Sequence, residues 1–246
     1  MKTIAIYGAG PALGLAVARR FGGEGFRVAL VARRREALDA MVGALSADGL
    51  EAAGFQADIA DPAEALRAAD EIEDRFGAID VLEHSPTPAG PSVSPLDIDT
   101  RTAAAVLDLY VLTPIALVNR LLPGMRERGD GALLFAMGAA AKYPTGRYAA
   151  PSVALPGLRG YIHTLNAAAR DSGVYAGALL IGALIEGSPA HRESQARTGG
   201  GAATPVIAPS DLADRLWNLA ADRDRVEDVI EPVFSRPGPT TPATDH

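Results

Sequence analysis

The chain of 246 residues contains no cysteine. That excludes disulfides, thiol catalysis and cysteine-held metals, and it is neutral about compartment. Positive charge is also in deficit, with a formal net charge of −7. An acidic surface argues against nucleic acid and anionic membranes as main partners. No apolar stretch reads as clean enough to span a bilayer. The start, "MKTIAIYGAGPALG", lacks the long apolar stretch and small-residue cleavage site of a signal peptide. The expectation is a soluble, cytoplasmic protein with no nucleic-acid or membrane partner. No repeat and no linker divides the chain. Its length suits one domain over residues 1–235, followed by a Pro- and Thr-rich tail, 236–246, that frays.

What is present is an alternation. Short apolar runs at 3–8, 27–32, 52–58, 79–84, 131–137, 175–182 and 227–233 suit strands buried on both faces. Helical patterns lie between them, near 12–24, 34–48, 62–76, 100–128, 148–172 and 210–222. Asp61-Pro62 and Ser210-Asp211 are helix-start signals. Repeated β-α units imply an α/β fold, a doubly wound parallel sheet with right-handed crossovers and helices on both faces. The polar, Gly-rich stretch 188–205 follows the sixth strand on the ligand side of such a sheet, and reads as a mobile lid.

The first strand runs into "YGAGPALG", with Gly8, Gly10 and Gly14 where strand becomes helix. Such a turn offers backbone N–H groups and a helix N-terminus to a phosphate, and glycines let a diphosphate approach. A plain tight β-α turn is the alternative. The second strand ends without the carboxylate that would hold the 2′-hydroxyl of NAD. Arg33 and Arg34 stand there instead, and arginine suits a 2′-phosphate. A solvated helix start is the bland account of the same residues. Asp58 ends the third strand, either to accept from an adenine amino group or to cap a turn. NADP is the expected cofactor, with NAD the alternative.

Together "YGAGPALG", "VARR", "ADIAD", "LLPGMRERGDGALLF" and "GVYAGALLIGALIEGSP" resemble the short-chain dehydrogenase/reductase superfamily over roughly residues 2–235. The resemblance implies a single Rossmann-type domain with a seven-stranded parallel sheet. It also implies a small-molecule substrate and assembly as a homodimer or homotetramer. It assigns cofactor contacts to Gly8, Gly10, Pro11, Ala12, Leu13, Gly14, Arg33, Arg34, Asp58, Ile59, Ser85, Gly182 and Leu184. No metal site is implied. The long helices 100–128 and 148–172 keep a second apolar face, which fits association.

The departures from the family pattern cluster at the chemistry. Ala12 replaces the second glycine of the turn. His84-Ser85-Pro86-Thr87 replaces Asn-Asn-Ala-Gly, and Met137-Gly138 stands where the catalytic serine is usual. The Tyr-x-x-x-Lys pair falls on Tyr148 and Ser152, and the structural asparagine falls on Tyr110. The chain has only two lysines, Lys2 and Lys142, and neither is four residues after a tyrosine. A free tyrosine titrates near pH 10, and lowering that by two units takes about 2.7 kcal/mol. An ammonium would supply this; Ser152 carries no charge and does not. Tyr148 is therefore expected to act as a neutral acid, with Ser152 and Tyr110 beside it. Lys142 swinging in from its loop, or His84 as an acid/base group, are the alternatives. His163 and His191 read as helix surface and lid. Pro114 lacks the N–H that would bond the Tyr110 carbonyl, so the long helix is expected to bend there. The favoured activity is NADP-dependent reduction of a carbonyl, enone or imine. A non-redox isomerase, cyclase or lyase, or a nucleotide-binding protein without turnover, are the alternatives.

Overall fold

Strand β1 (Thr3–Tyr7) is buried along its whole length. Its side chains alternate between two apolar layers, Ala5 and Tyr7 entering one and Ile4 and Ile6 the other. That double burial is what a central parallel strand demands. The computed structural model describes residues 1–87, 93–144, 149–198 and 205–232. Seven strands form one parallel sheet in the order β3-β2-β1-β4-β5-β6-β9. The others are β2 (Arg27–Ala32), β3 (Ala52–Gln56), β4 (Val81–His84), β5 (Gly131–Gly138), β6 (Val174–Ile181) and β9 (Glu227–Ile230). The doubly wound α/β fold expected from the alternation is the one observed. Strand ends lie within three residues of the expected ones.

On one face lie α3 (Pro62–Phe76), α4 (Thr100–Leu107), α5 (Thr113–Arg128) and α6 (Ala149–Ala169). On the other lie α1 (Leu13–Gly23), α2 (Arg35–Ala47) and α8 (Pro209–Asp222). The strand order reverses direction between β1 and β4. Open α/β sheets bind ligands in the crevice outside the carboxyl ends of the strands at that reversal.

Three expectations are corrected. The run 100–128 is helical throughout but not α throughout: α4 and α5 are joined by a π turn at Asp108–Leu112, where the Thr113 N–H reaches back to the Asp108 carbonyl. Pro114 cannot continue the regular ladder, so the helix widens by one residue there, as π segments do. By length and composition, Thr100–Arg128 is long and apolar enough to cross a membrane, although no stretch was expected to be. Nearly half of its most apolar window is buried, because Val106, Leu117, Val118 and Leu121 pack against the sheet. The stretch 188–205 is not loop throughout, since helix α7 spans Pro189–Thr198. The chain enters it from β7 (Leu184–Ile185) and leaves by β8 (Val206–Ile207), which pair in parallel as a small second sheet.

Candidate functional site

The glycine turn is tied to its neighbours at one point. The N–H groups of Gly8 and Ala9 both donate to the Val31 carbonyl of β2, each at 3.0 Å. Gly8 has φ +91°, and a Cβ on it would lie 3.0 Å from the Ser85 carbonyl oxygen and from Pro86 Cα. Only glycine fits there without strain. A Cβ on Gly14 would lie 2.8 Å from Ala9 Cα, so Gly14 lets α1 pack close to the turn. Around Gly10 there is open space, nothing lying within 4 Å. Pro11 and Ala12 lead into Leu13, the first residue of α1. Ala12 gives that helix no side-chain cap, and its first turn holds no acidic residue. The free N–H groups and the positive end of the helix dipole are left for an anion. These features fit a dinucleotide diphosphate. A cavity of about 530 Å³ opens beside the turn, bordered by Pro11, Ala12, Glu186 and Pro209.

The remaining cofactor candidates divide. Arg33 and Arg34 are exposed, and among the described residues neither is in an ion pair. Asp58 caps its own turn: Oδ1 accepts from the Ala60 N–H at 3.0 Å, while the Asp58 N–H donates to Glu64 Oε2. The Ile59 side chain belongs to the core, so only its backbone faces the question of a ligand. Ser85 hangs from β1 by its N–H to the Tyr7 carbonyl. Gly182 donates to the Ile230 carbonyl, and a Cβ on it would come within 2.4 Å of that oxygen. Leu184 donates to the Pro205 carbonyl and opens the small sheet.

At the chemical end, Tyr148 lies outside the described residues. Ser152 sits half-buried in the first turn of α6. Tyr110 is buried in the π turn with its hydroxyl 3.5 Å from the Pro86 carbonyl, a weak contact. Burial pushes its pKa up, so the hydroxyl stays neutral. Lys142 meets the hydroxyl and the ring face of the adjacent Tyr143. Its ammonium is 3.5 Å from Glu227 Oε1, at the start of β9. Arg159 binds both oxygens of the same carboxylate, at 2.7 and 3.1 Å, and His163 Nε2 meets it at 3.0 Å. Led by Arg159, these partners hold the Glu227 pKa down to about 2. His163 is thus part of an ion cluster rather than plain helix surface. His191 accepts the Gly187 N–H on Nδ1, at the head of α7.

His84 is 1 % exposed, and among the described residues neither ring nitrogen has a partner. Burial pulls its pKa down to about 3. A neutral imidazole at pH 7 has no proton to give as a cationic acid, so burial argues against that role for His84. Its neighbour Glu83 was not anticipated. Glu83 is completely buried, its Oε2 accepts from Ser85 Oγ at 3.0 Å, and Oε1 has no partner among the described residues. Burial pushes its pKa up to about 8. The signal was a lone carboxyl in "VLEH", inside a strand that buries both faces.

The family model for short chain dehydrogenases matches residues 2–195. The chain belongs to the short-chain dehydrogenase family. The chain is 34 % identical over 142 residues to a fatty acyl-CoA reductase of Mycobacterium tuberculosis, a match covering 54 % of the chain and 46 % of the relative. It is 28 % identical to 1-deoxy-11-beta-hydroxypentalenate dehydrogenase of Streptomyces exfoliatus, over 90 % of the chain and 81 % of that protein. The chain spans about half the length of the fatty acyl-CoA reductase and 58 % of a short chain dehydrogenase of Pseudocercospora fijiensis. In fold it is similar to L-sorbose reductase of Gluconobacter frateurii complexed with NADPH and L-sorbose, with a TM-score of 0.82 and 22 % identity over 94 % of this chain and 95 % of that one. It is equally similar to an NADPH-bound short chain oxidoreductase of Pseudomonas aeruginosa described as containing an atypical catalytic center. There the TM-score is 0.82 and the identity 20 %, over 96 % and 97 % of the two chains.

In this family member the two buried groups of β4 shape the pH dependence of stability. Between about pH 4.5 and 8 the folded chain keeps the Glu83 proton that the unfolded chain has lost, so stability falls as pH rises. Between about pH 3 and 6.5 the unfolded chain binds a His84 proton that the fold refuses, so stability falls as pH drops. The slopes oppose each other between about pH 4.5 and 6.5 and leave stability highest there. Glu83→Gln keeps an acceptor for Ser85 and removes the alkaline slope. Its thermal midpoint should exceed that of the parent by several degrees at pH 8 and by far less at pH 4.5, as read by calorimetry.

Proposed function

We propose that this chain is an NADP-dependent reductase of a small-molecule carbonyl, enone or imine, with Tyr148 as a neutral proton donor. The observation that carries the reading is the glycine turn, open at Gly10 and leading into an uncapped α1, with unpaired Arg33 and Arg34 nearby in the chain. The turn suits the diphosphate, and the two guanidinium groups suit a 2′-phosphate. NADPH in the complexes of the sorbose reductase and the Pseudomonas oxidoreductase agrees with this, as do the reductases and dehydrogenases among the relatives. Bound there, the dinucleotide supplies a hydride. The chain supplies the proton.

The family's lysine position is Ser152, which carries no charge, and the Lys142 ammonium is shared between the Tyr143 hydroxyl and Glu227. Tyr148 thus stays un-ionised near neutral pH, which suits proton donation during reduction and makes alcohol oxidation unfavourable. A non-redox relative, an isomerase, cyclase or lyase, is the second reading, favoured by Met137-Gly138 in place of the catalytic serine. If no carbonyl, enone or imine in a broad panel oxidises NADPH, that reading replaces the first.

Association into a homodimer or homotetramer belongs to the same proposal. Leu107 and Leu112, beside the π turn, and Val153 of α6 are exposed apolar side chains, with Leu112 at 50 % and Val153 at 46 %. Light scattering at micromolar concentration should give at least twice the monomer mass, and Leu112→Glu with Val153→Glu should reduce it. A wild-type monomer refutes this part.

Titration calorimetry with both cofactors should find NADPH bound more tightly than NADH. Arg33→Asp should weaken NADPH by about ten- to a hundredfold, the worth of a hydrogen bond to a charged group, and leave NADH little changed. Equal wild-type affinities would remove the phosphate argument. Tyr148→Phe should bind NADPH as the parent does and lose turnover by about a hundred- to ten-thousandfold. Full activity in that variant would make Tyr148 a packing residue.

A further inference from the structure

Strand β4 runs between β1 and β5, and its last two residues face opposite sides of the sheet. Glu83 is in register with Ile6 and Leu134, which belong to the apolar layer under α1, α2 and α8. Ala9 and Leu13, flanking the dinucleotide turn, belong to that same layer. The carboxyl is linked to the turn by a short path. Ser85 Oγ donates to Glu83 Oε2, and the Ser85 carbonyl with Pro86 closes against Gly8.

Among the described residues nothing compensates a charge at Glu83, where burial raises the pKa and the Ser85 hydroxyl opposes it. The charged groups of the helices on that face are engaged at the surface. Arg19 and Arg20 of α1 pair with Asp48, Glu24 and Asp214. Arg35 of α2 pairs with Asp39, and Arg215 of α8 with Asp228. Glu36, Glu186 and Asp211 are exposed. His84 lies on the other face, in register with Tyr7 and Phe135. A buried carboxylate without a partner is costly, and the neutral acid is the form the site tolerates.

We propose that Glu83 is a positioning residue of the dinucleotide site that works as the neutral acid, holding Ser85 against the glycine turn, so that losing its proton weakens dinucleotide binding. The inference rests on the cofactor reading above. A diphosphate brings negative charge to a turn where N–H groups and a helix end offset it. An ionised carboxyl in the apolar layer behind that turn repels it and draws on the Ser85 hydroxyl more strongly. The bound anion in turn favours protonated Glu83, so its pKa rises on binding. Above the pKa of the free protein, about 8, binding then takes up a proton and affinity falls with rising pH.

The test measures NADPH binding by fluorescence from pH 7 to 9.5 in the wild type and in Glu83→Gln, which keeps the acceptor for Ser85 and cannot ionise. The wild-type dissociation constant should rise by about tenfold, the effect of one pKa unit of coupling, while that of Glu83→Gln stays nearly flat. Calorimetry of the wild type at pH 8.5, in two buffers of different ionisation enthalpy, should show uptake of roughly half a proton per NADPH. This second measurement decides the matter if the variant does not fold. The same pH dependence in both proteins, or binding without proton uptake, overturns this inference alone. Failure to bind NADPH or NADH at any pH overturns the cofactor reading, and this inference with it.

Discussion

Two backbone amides, those of Gly8 and Ala9, converge on one carbonyl, Val31 O, and the rest of the site hangs on that junction. It joins β1 to β2 where the chain leaves the sheet. On the other side, Ser85 and Pro86 at the end of β4 press against Gly8. Three strands therefore meet at one residue that has no side chain and a positive φ. With the exit from β1 set in this way, the open face at Gly10, the close packing of Gly14 on Ala9 and the direction of α1 follow. A Cβ at position 8 would disturb all of them together, because its neighbours are backbone and proline ring rather than yielding side chains.

Charge in this protein is managed differently at the sheet's centre and at its edge. On β4, Glu83 and His84 are both pressed toward their neutral forms by burial, and Tyr110 keeps its proton for the same reason. At the edge strand β9, Glu227 is ionised and surrounded by Arg159, His163 and Lys142. The chain's second lysine is thus spent on fastening the segment after β5 to β9.

Much of the fold was legible in the sequence. Apolar runs without alternation marked strands buried on both faces, and the glycine turn appeared in its strand-to-helix setting. Asp61-Pro62 marked the start of α3, where the Asp61 side chain does cap the helix. Pro114 announced a disturbance at Tyr110. The π register was not legible, because it depends on Thr113 reaching one residue further back than usual. Helix α7 was missed because "PAHRESQART" is polar all round and offers no apolar stripe. At the candidate site, the burial of the Ile59 side chain in the core and the turn that Asp58 caps depend on contacts that spacing along the chain does not reveal.

The sequence by itself determined the sheet, the dinucleotide turn, the arginines after β2 and the lack of a lysine four residues after any tyrosine. These are properties of residue type and spacing along the chain. Only the tertiary structure decided which groups carry charge. The proton on Glu83 depends on apolar side chains from α1, α8, β1 and β5 closing around it. The loss of Lys142 to Glu227 depends on β9 returning beside β6, next to the loop that follows β5. Solvation and Coulomb attraction act through space, and neighbours that are distant in sequence set them.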